Sequence, residues 1–186
     1  MAHIEQTSYC KKVKQLLPTY FENKSILDVG SLDINGNNRF LFDNCVYLGI
    51  DVGEGDNVDL VCKGHEFKIF DLNGNILQFD TIISTECFEH DMYWKETLNN
   101  IVNNLLKNDG LFLFTCATTG RPEHGTKRMN QGCSPLTCAY EEWENYYKNL
   151  TEDDIRSAID MSVFSSFEFS VNSYSQDLYF WGVKNK

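Results

Sequence analysis

Asp28 and Asp51 are the side chains around which the chemistry of this chain has to be arranged. Asp28 ends a short apolar run and opens the turn Asp28-Val-Gly-Ser31 that continues to Gly36, and Asp51 ends a second run, Tyr47-Leu-Gly-Ile-Asp51. An acid at a strand end about twenty residues beyond a glycine-bearing turn is placed to accept hydrogen bonds from both hydroxyls of a ribose. The turn lets backbone approach a ligand, because Gly30 and Gly36 tolerate positive φ and carry no side chain. The pair predicts a nucleoside ligand. A dinucleotide turn has the form G-x-G-x-x-G and holds a pyrophosphate on a helix N-terminus. Here five residues separate Gly30 from Gly36, and one of them is Asp33, whose carboxylate would repel a pyrophosphate.

A second set of reactive residue types lies further along, in Arg121-Pro-Glu-His-Gly125. Histidine titrates near neutrality and a carboxylate can orient it, so His124 with Glu123 is the candidate base, and Arg121 suits an acidic acceptor. Residues 117–150 form a long connection after a strand, which in a compact domain is usually a lid or binding loop. Within it Tyr140, Trp143, Tyr146 and Tyr147 have helical spacing, which predicts a packed lid helix, with Tyr140 as part of a stacking wall for an acceptor. Cys116, His124, Cys133 and Cys138 include zinc-ligand types but lack the tight C-x2-C pairing of structural zinc sites. No metal is expected.

The elements that must position these groups follow from the pattern. Residues 25–29, 46–51, 58–61, 79–84 and 111–116 are short runs apolar on both faces, as central parallel strands are. Residues 6–17 predict a leading helix, stopped before Pro18 because a pre-proline residue avoids the α region. Apolar residues at three- and four-residue spacing predict a helix over 92–107, ended by Gly110. A helix over 151–159 starts at Thr151-x-x-Asp154, a relative of the capping box. The alternating run at 167–171 and the apolar run 178–183 predict a terminal strand pair; residues 63–78 give no clear pattern. That order predicts an α/β fold, an open and mostly parallel sheet with helices on both faces.

Composition bounds what such a fold does. A chain of 186 residues with 42% hydrophobic content buries one good core, so a single domain over 1–186 is expected. No apolar run is long enough to span a bilayer, and the first residues lack the pattern of a signal peptide. Seven irregularly spaced cysteines then read as reduced thiols in a cytoplasmic protein. The formal net charge of -11, without a basic face, is wrong for nucleic acid, whose binding rests on neutralised phosphates. A small-molecule or carbohydrate-like acceptor is expected, and the oligomeric state stays open.

Three motifs tie these features to a family. Asp28-Val-Gly-Ser31, Gly49-Ile-Asp51 and Phe79-Asp-Thr-Ile-Ile-Ser-Thr-Glu-Cys-Phe-Glu-His90 resemble the first, second and fourth motifs of class I S-adenosylmethionine (SAM)-dependent methyltransferases. Leu106-Lys-Asn-Asp-Gly110 followed by Leu111-Phe-Leu-Phe114 is similar to their "LKPGGxLxL" element, with Asn-Asp where Pro-Gly is usual. The resemblance covers nearly the whole chain. It implies a Rossmann-like three-layer sandwich with a seven-stranded sheet, order 3-2-1-4-5-7-6, the last strand antiparallel. It also implies SAM as cofactor and S-adenosylhomocysteine as product. On this reading Gly30, Ser31 and Gly36 form the cofactor turn, Asp28 orients it and the ammonium, and Asp51 takes the ribose. Val52 packs on the adenine, Thr85 and Glu86 line the sulfonium end, and His90 closes the pocket toward the acceptor. Where the family often has an acid after the third strand there is Cys62-Lys63-Gly64, with His65 or Glu66 as substitutes. The chain lacks the Asn/Asp-Pro-Pro-Tyr of amino-group methyltransferases and the Pro-Cys of cytosine C5 enzymes. A non-catalytic SAM-binding adaptor of the same fold is the alternative.

Overall fold

The computed structural model describes residues 3–186; residues 1 and 2 of the predicted leading segment lie outside it. Strand β1 (Ser25–Val29) is paired in parallel with β2 (Val46–Asp51) on one side and β4 (Phe79–Thr85) on the other. Beyond them lie β3 (Leu60–Val61), β5 (Leu106–Ala117), β7 (Asp177–Lys184) and β6 (Phe164–Asn172), completing the order β3-β2-β1-β4-β5-β7-β6 with β7 antiparallel to both neighbours. This is the predicted topology.

Successive strand side chains point to opposite faces, so the central strands feed two cores. Ile26, Ile83, Leu111, Leu113 and Val183 face helix α1 (Ile4–Leu16), which buries Tyr9, Cys10 and Val13 against them. Leu27, Ile82, Phe112, Phe114 and Phe180 face the other layer, built on α2 (Trp94–Asn100) and α3 (Glu152–Ala158). The capping box of α3 is complete: the Asp154 amide donates to the Thr151 hydroxyl at 3.2 Å, and the Thr151 amide donates to the Asp154 carboxylate at 3.0 Å.

Three expectations are corrected. The helix predicted over 92–107 is α-helical only to Asn100 and continues as a π-helical turn, Ile101–Leu105. Its asparagines are poor helix formers, and the side-chain Nδ2 of Asn100 donates to the carbonyls of Gly64 and Phe67 at 2.9 and 3.0 Å, fixing the loop after β3. The reversal at its end turns on Asp109, at φ +60°, rather than on Gly110, since short polar residues also reach the left-handed region. The lid helix predicted at Tyr140–Tyr147 is absent. After one turn held by the Tyr140 carbonyl, the amides of Lys148 and Leu150 bond to Glu89 and Ala117 instead of to the preceding turn.

Candidate functional site

A cleft of about 840 Å³ opens at the carboxyl ends of β1, β2 and β4, where open α/β sheets bind ligands. All eight residues predicted to hold the cofactor line it: Asp28, Gly30, Ser31, Gly36, Asp51, Val52, Thr85 and Glu86. Gly30 has φ +79°, and a Cβ there would lie 2.3 Å from Cys87 Sγ. The turn after β1 therefore presses directly on the turn after β4. Gly30→Ala is expected to cost about 1–3 kcal/mol through strain and overlap, and Cys87→Gly should recover part of it. Equal denaturation midpoints for the wild type and Gly30→Ala would refute this contact. Glu86 is itself in the left-handed region, at φ +53°, a strain of the kind that clusters at functional sites.

The hydrogen bonds refine the individual roles. The amides of Gly30 and Ser31 both donate to the Ile50 carbonyl, at 2.9 and 3.0 Å, so this turn offers a ligand its shape rather than those two donors. Asp33 is used inside the turn, accepting from the Gly36 amide at 2.6 Å and the Asn37 amide group at 2.7 Å. Asp51 accepts from the amides of Leu32 and Val52 at 3.0 and 2.7 Å; burial outweighs these bonds and raises its pKa. Asp28 lies beneath the cleft, nearly inaccessible. One of its oxygens accepts from the Tyr47 hydroxyl at 2.5 Å, and the other has no partner among the described residues. Burial pushes its carboxyl up to about 7.

The 117–150 segment reaches over the end of β2 as well as the turn after β4. Cys133, Leu136, Thr137 and Trp143 line it, and Leu136 covers Gly53 so closely that a Cβ there would lie 2.8 Å from its methyl. Tyr140, predicted as an acceptor wall, instead donates its hydroxyl to the Val52 carbonyl at 2.6 Å and ties the segment to the end of β2. His65 stacks on Tyr93 at 4.2 Å and Glu66 is exposed. Neither lines the cleft; Cys62, Gly64 and Asp91 do.

His90 lines the cleft, and behind it His124 packs edge-on at 5.0 Å between ring centroids, with Glu89 alongside. His124 is buried, and its Nδ1 is bonded to the Pro122 carbonyl at 3.0 Å. Burial lowers its pKa. Glu123 does not orient it. That carboxylate accepts from Arg128 and the Thr126 hydroxyl, at 2.6 and 2.7 Å, near the surface. Arg121 is not in the cleft either: it pairs with the fully buried Asp177 at 2.7 Å, beside His3 and Glu86. Sequence reasoning missed Glu89, although the Glu89-His90 dipeptide was the available signal, and it missed His3 and Asp177, which no motif marks.

No known family's sequence profile matches the chain, and no curated protein matches it in sequence. Solved structures do match in three dimensions. The N-terminal domain of EvdMO1, solved with S-adenosylhomocysteine and D-fucose, aligns with a TM-score of 0.61 at 12% identity, over 100% of this chain and 85% of that one. Phosphoethanolamine N-methyltransferase 2 of Haemonchus contortus, with phosphomonomethylethanolamine and S-adenosylhomocysteine, aligns at 0.61 and 15% identity over 96% of this chain, which spans about half (53%) of its length. The 1,6-didemethyltoxoflavin-N1-methyltransferase of Burkholderia thailandensis aligns at 0.58 and 11% identity, over 100% and 93%. The strand order, the antiparallel β7 and these alignments together establish that the chain has the class I SAM-dependent methyltransferase fold.

Proposed function

We propose that the chain binds SAM in this cleft and transfers its methyl group to a small-molecule acceptor, releasing S-adenosylhomocysteine. The observation that carries the reading is the charge of the lining. Asp28, Asp51, Glu86 and Asp91 line the cleft, and no lysine or arginine does among the described residues. Such a lining repels a pyrophosphate and attracts a ligand bearing a sulfonium and an ammonium, because like charges in a partly desolvated cleft interact strongly. Asp51, fixed by two amides, suits the ribose hydroxyls. The three aligned proteins are each solved with S-adenosylhomocysteine, which supports the same ligand here.

Methyl transfer is an in-line displacement at the methyl carbon, so the protein's first task is alignment of donor and acceptor. The acceptor approaches from the side of His90, under the segment carrying His124. The activity is tested by following S-adenosylhomocysteine release from SAM in the presence of fractionated small-molecule extract. Release that depends on such a fraction is expected, and release that depends only on added nucleic acid would overturn the small-acceptor reading. Consistent with the acidic surface, no salt-sensitive retention of DNA or RNA oligonucleotides is expected in a filter assay at physiological ionic strength.

A further inference from the structure

The floor of the acceptor side holds a group of side chains that the fold leaves unsatisfied. Glu89, His90 and His124 are all buried, and one donor atom from each lies within 4.8 Å of the other two. Neither oxygen of Glu89 and neither ring nitrogen of His90 has a hydrogen-bond partner among the described residues. A buried carboxylate without a partner is expensive. Arg121, whose charge reaches both imidazoles, is bonded to Asp177 instead. Two imidazoles and a carboxyl group, buried together with donor atoms that nothing else uses, are a donor set for a metal ion.

The surroundings hold these donors in place. The Nδ1 of His124 is bonded to the Pro122 carbonyl, the arrangement by which a metal-binding histidine is oriented through its other nitrogen. Its Nε2 is thereby left free. Gly125, at φ +63°, lies against the His90 ring, where a Cβ would come 2.5 Å from Cε1. Tyr147 packs on both rings, at 5.0 and 5.6 Å between centroids. Donors sharing an ion at about 2.1 Å stand roughly 3–4 Å apart, so the group contracts by on the order of 1 Å on binding.

We propose that Glu89, His90 and His124 bind one divalent first-row metal ion, and that the ion takes the acceptor as an oxygen nucleophile. The first part stands on the geometry alone; the second rests on the methyltransferase reading above. Mixed imidazole and carboxylate donors favour a first-row transition ion over magnesium or calcium. Three protein ligands leave coordination positions open, as in catalytic rather than structural sites. A hydroxyl bound at an open position loses its proton to solvent more readily. Its oxygen then forms the bond to the methyl carbon as the carbon–sulfur bond breaks, and that electron pair returns to sulfur. His124 thus serves as a ligand in place of the free base expected from the sequence, and the assignment replaces the expectation of no metal.

Titration with Co2+ tests the site. The wild type should take up one tightly bound equivalent, with visible d–d bands. Glu89→Gln and His124→Ala should each weaken uptake by more than the 10–100-fold that losing a supporting contact costs a metal site. Glu89→Gln keeps the size and shape of the buried side chain, so it should fold as well as the wild type, and circular dichroism verifies this. Absence of bound Co2+ in the folded wild type, or uptake unchanged in a folded Glu89→Gln, overturns the proposal. S-adenosylhomocysteine binding, measured with and without EDTA, separates the two claims: cobalt uptake without nucleoside binding sinks only the methyltransferase reading, and the reverse sinks only the metal site.

Discussion

Asp177→Ala is expected to lower stability by about 3–5 kcal/mol, the cost of removing one partner from a buried ion pair, which corresponds to roughly 6–20 °C in Tm for a protein of this size. Asp177 opens β7 with no solvent exposure. It accepts from Arg121 at 2.7 Å, lies 3.2 Å from the His3 imidazole, and accepts from the Tyr179 hydroxyl at 3.3 Å. Arg121 also donates to the Ser175 carbonyl. The carboxylate thereby fastens the 117–150 segment, the β6–β7 hairpin and the start of α1 at one point. Burial works against a charged His3, but pairing with the carboxylates of Asp177 and Glu86, at 3.2 and 3.5 Å, outweighs it and lifts its pKa to about 10. A pKa raised in the folded state stabilises fully below the unfolded value and ceases to do so as pH rises through the folded value. The His3 contribution is therefore complete below about 6.5 and lost by about 10. Wild-type stability should decline across that window more steeply than that of Asp177→Ala. Coincident denaturation curves for the two proteins would show that the cluster holds nothing together.

Asp51→Ala is expected to weaken S-adenosylhomocysteine binding by about 1–3 kcal/mol, one to two decades in Kd, through the stranding of two ribose hydroxyls. The same substitution frees the amides of Leu32 and Val52 that the carboxylate now holds. Part of the loss therefore comes from a loosened turn. Asp51→Asn, which keeps an acceptor oxygen for one of them, should fall between the two. Calorimetric titration gives the affinities, and thermal melts of the free proteins report the turn. Equal affinity for wild type and Asp51→Ala would remove Asp51 from the site.

The arrangement at the ends of β1 and β2 was legible in the sequence because it is local. The chemistry of Asp28, Gly30 and Asp51 follows from strand ends and a turn within about twenty residues, and parallel strands bring such ends together in any sheet of this kind. The acceptor end depends on contacts between distant segments. Glu89 and His90 follow β4, and His124 lies in a long connection whose path is set by main-chain bonds such as Lys148 to Glu89 and Leu150 to Ala117. Helical spacing at Tyr140–Tyr147 was real and still misled, because those outside partners competed for the amides that would have extended the turn. Arg121 and Glu123 illustrate the same limit. Their side chains are satisfied by Asp177 and by Arg128, choices that charge and spacing along the chain do not reveal. Asp33, which argued against a dinucleotide from within the turn, is spent on local bonds, and the same discrimination now rests on Asp28, Asp51, Glu86 and Asp91.

The cleft's charge makes the central claim testable by one calorimetric comparison, in which SAM, S-adenosylhomocysteine and NAD are titrated separately into the purified chain. Saturable heat at one equivalent is expected for the first two, and none for NAD, whose pyrophosphate would enter a cleft lined by acidic residues and by no lysine or arginine among the described residues. Binding of NAD, with no heat from SAM or S-adenosylhomocysteine, would contradict the account.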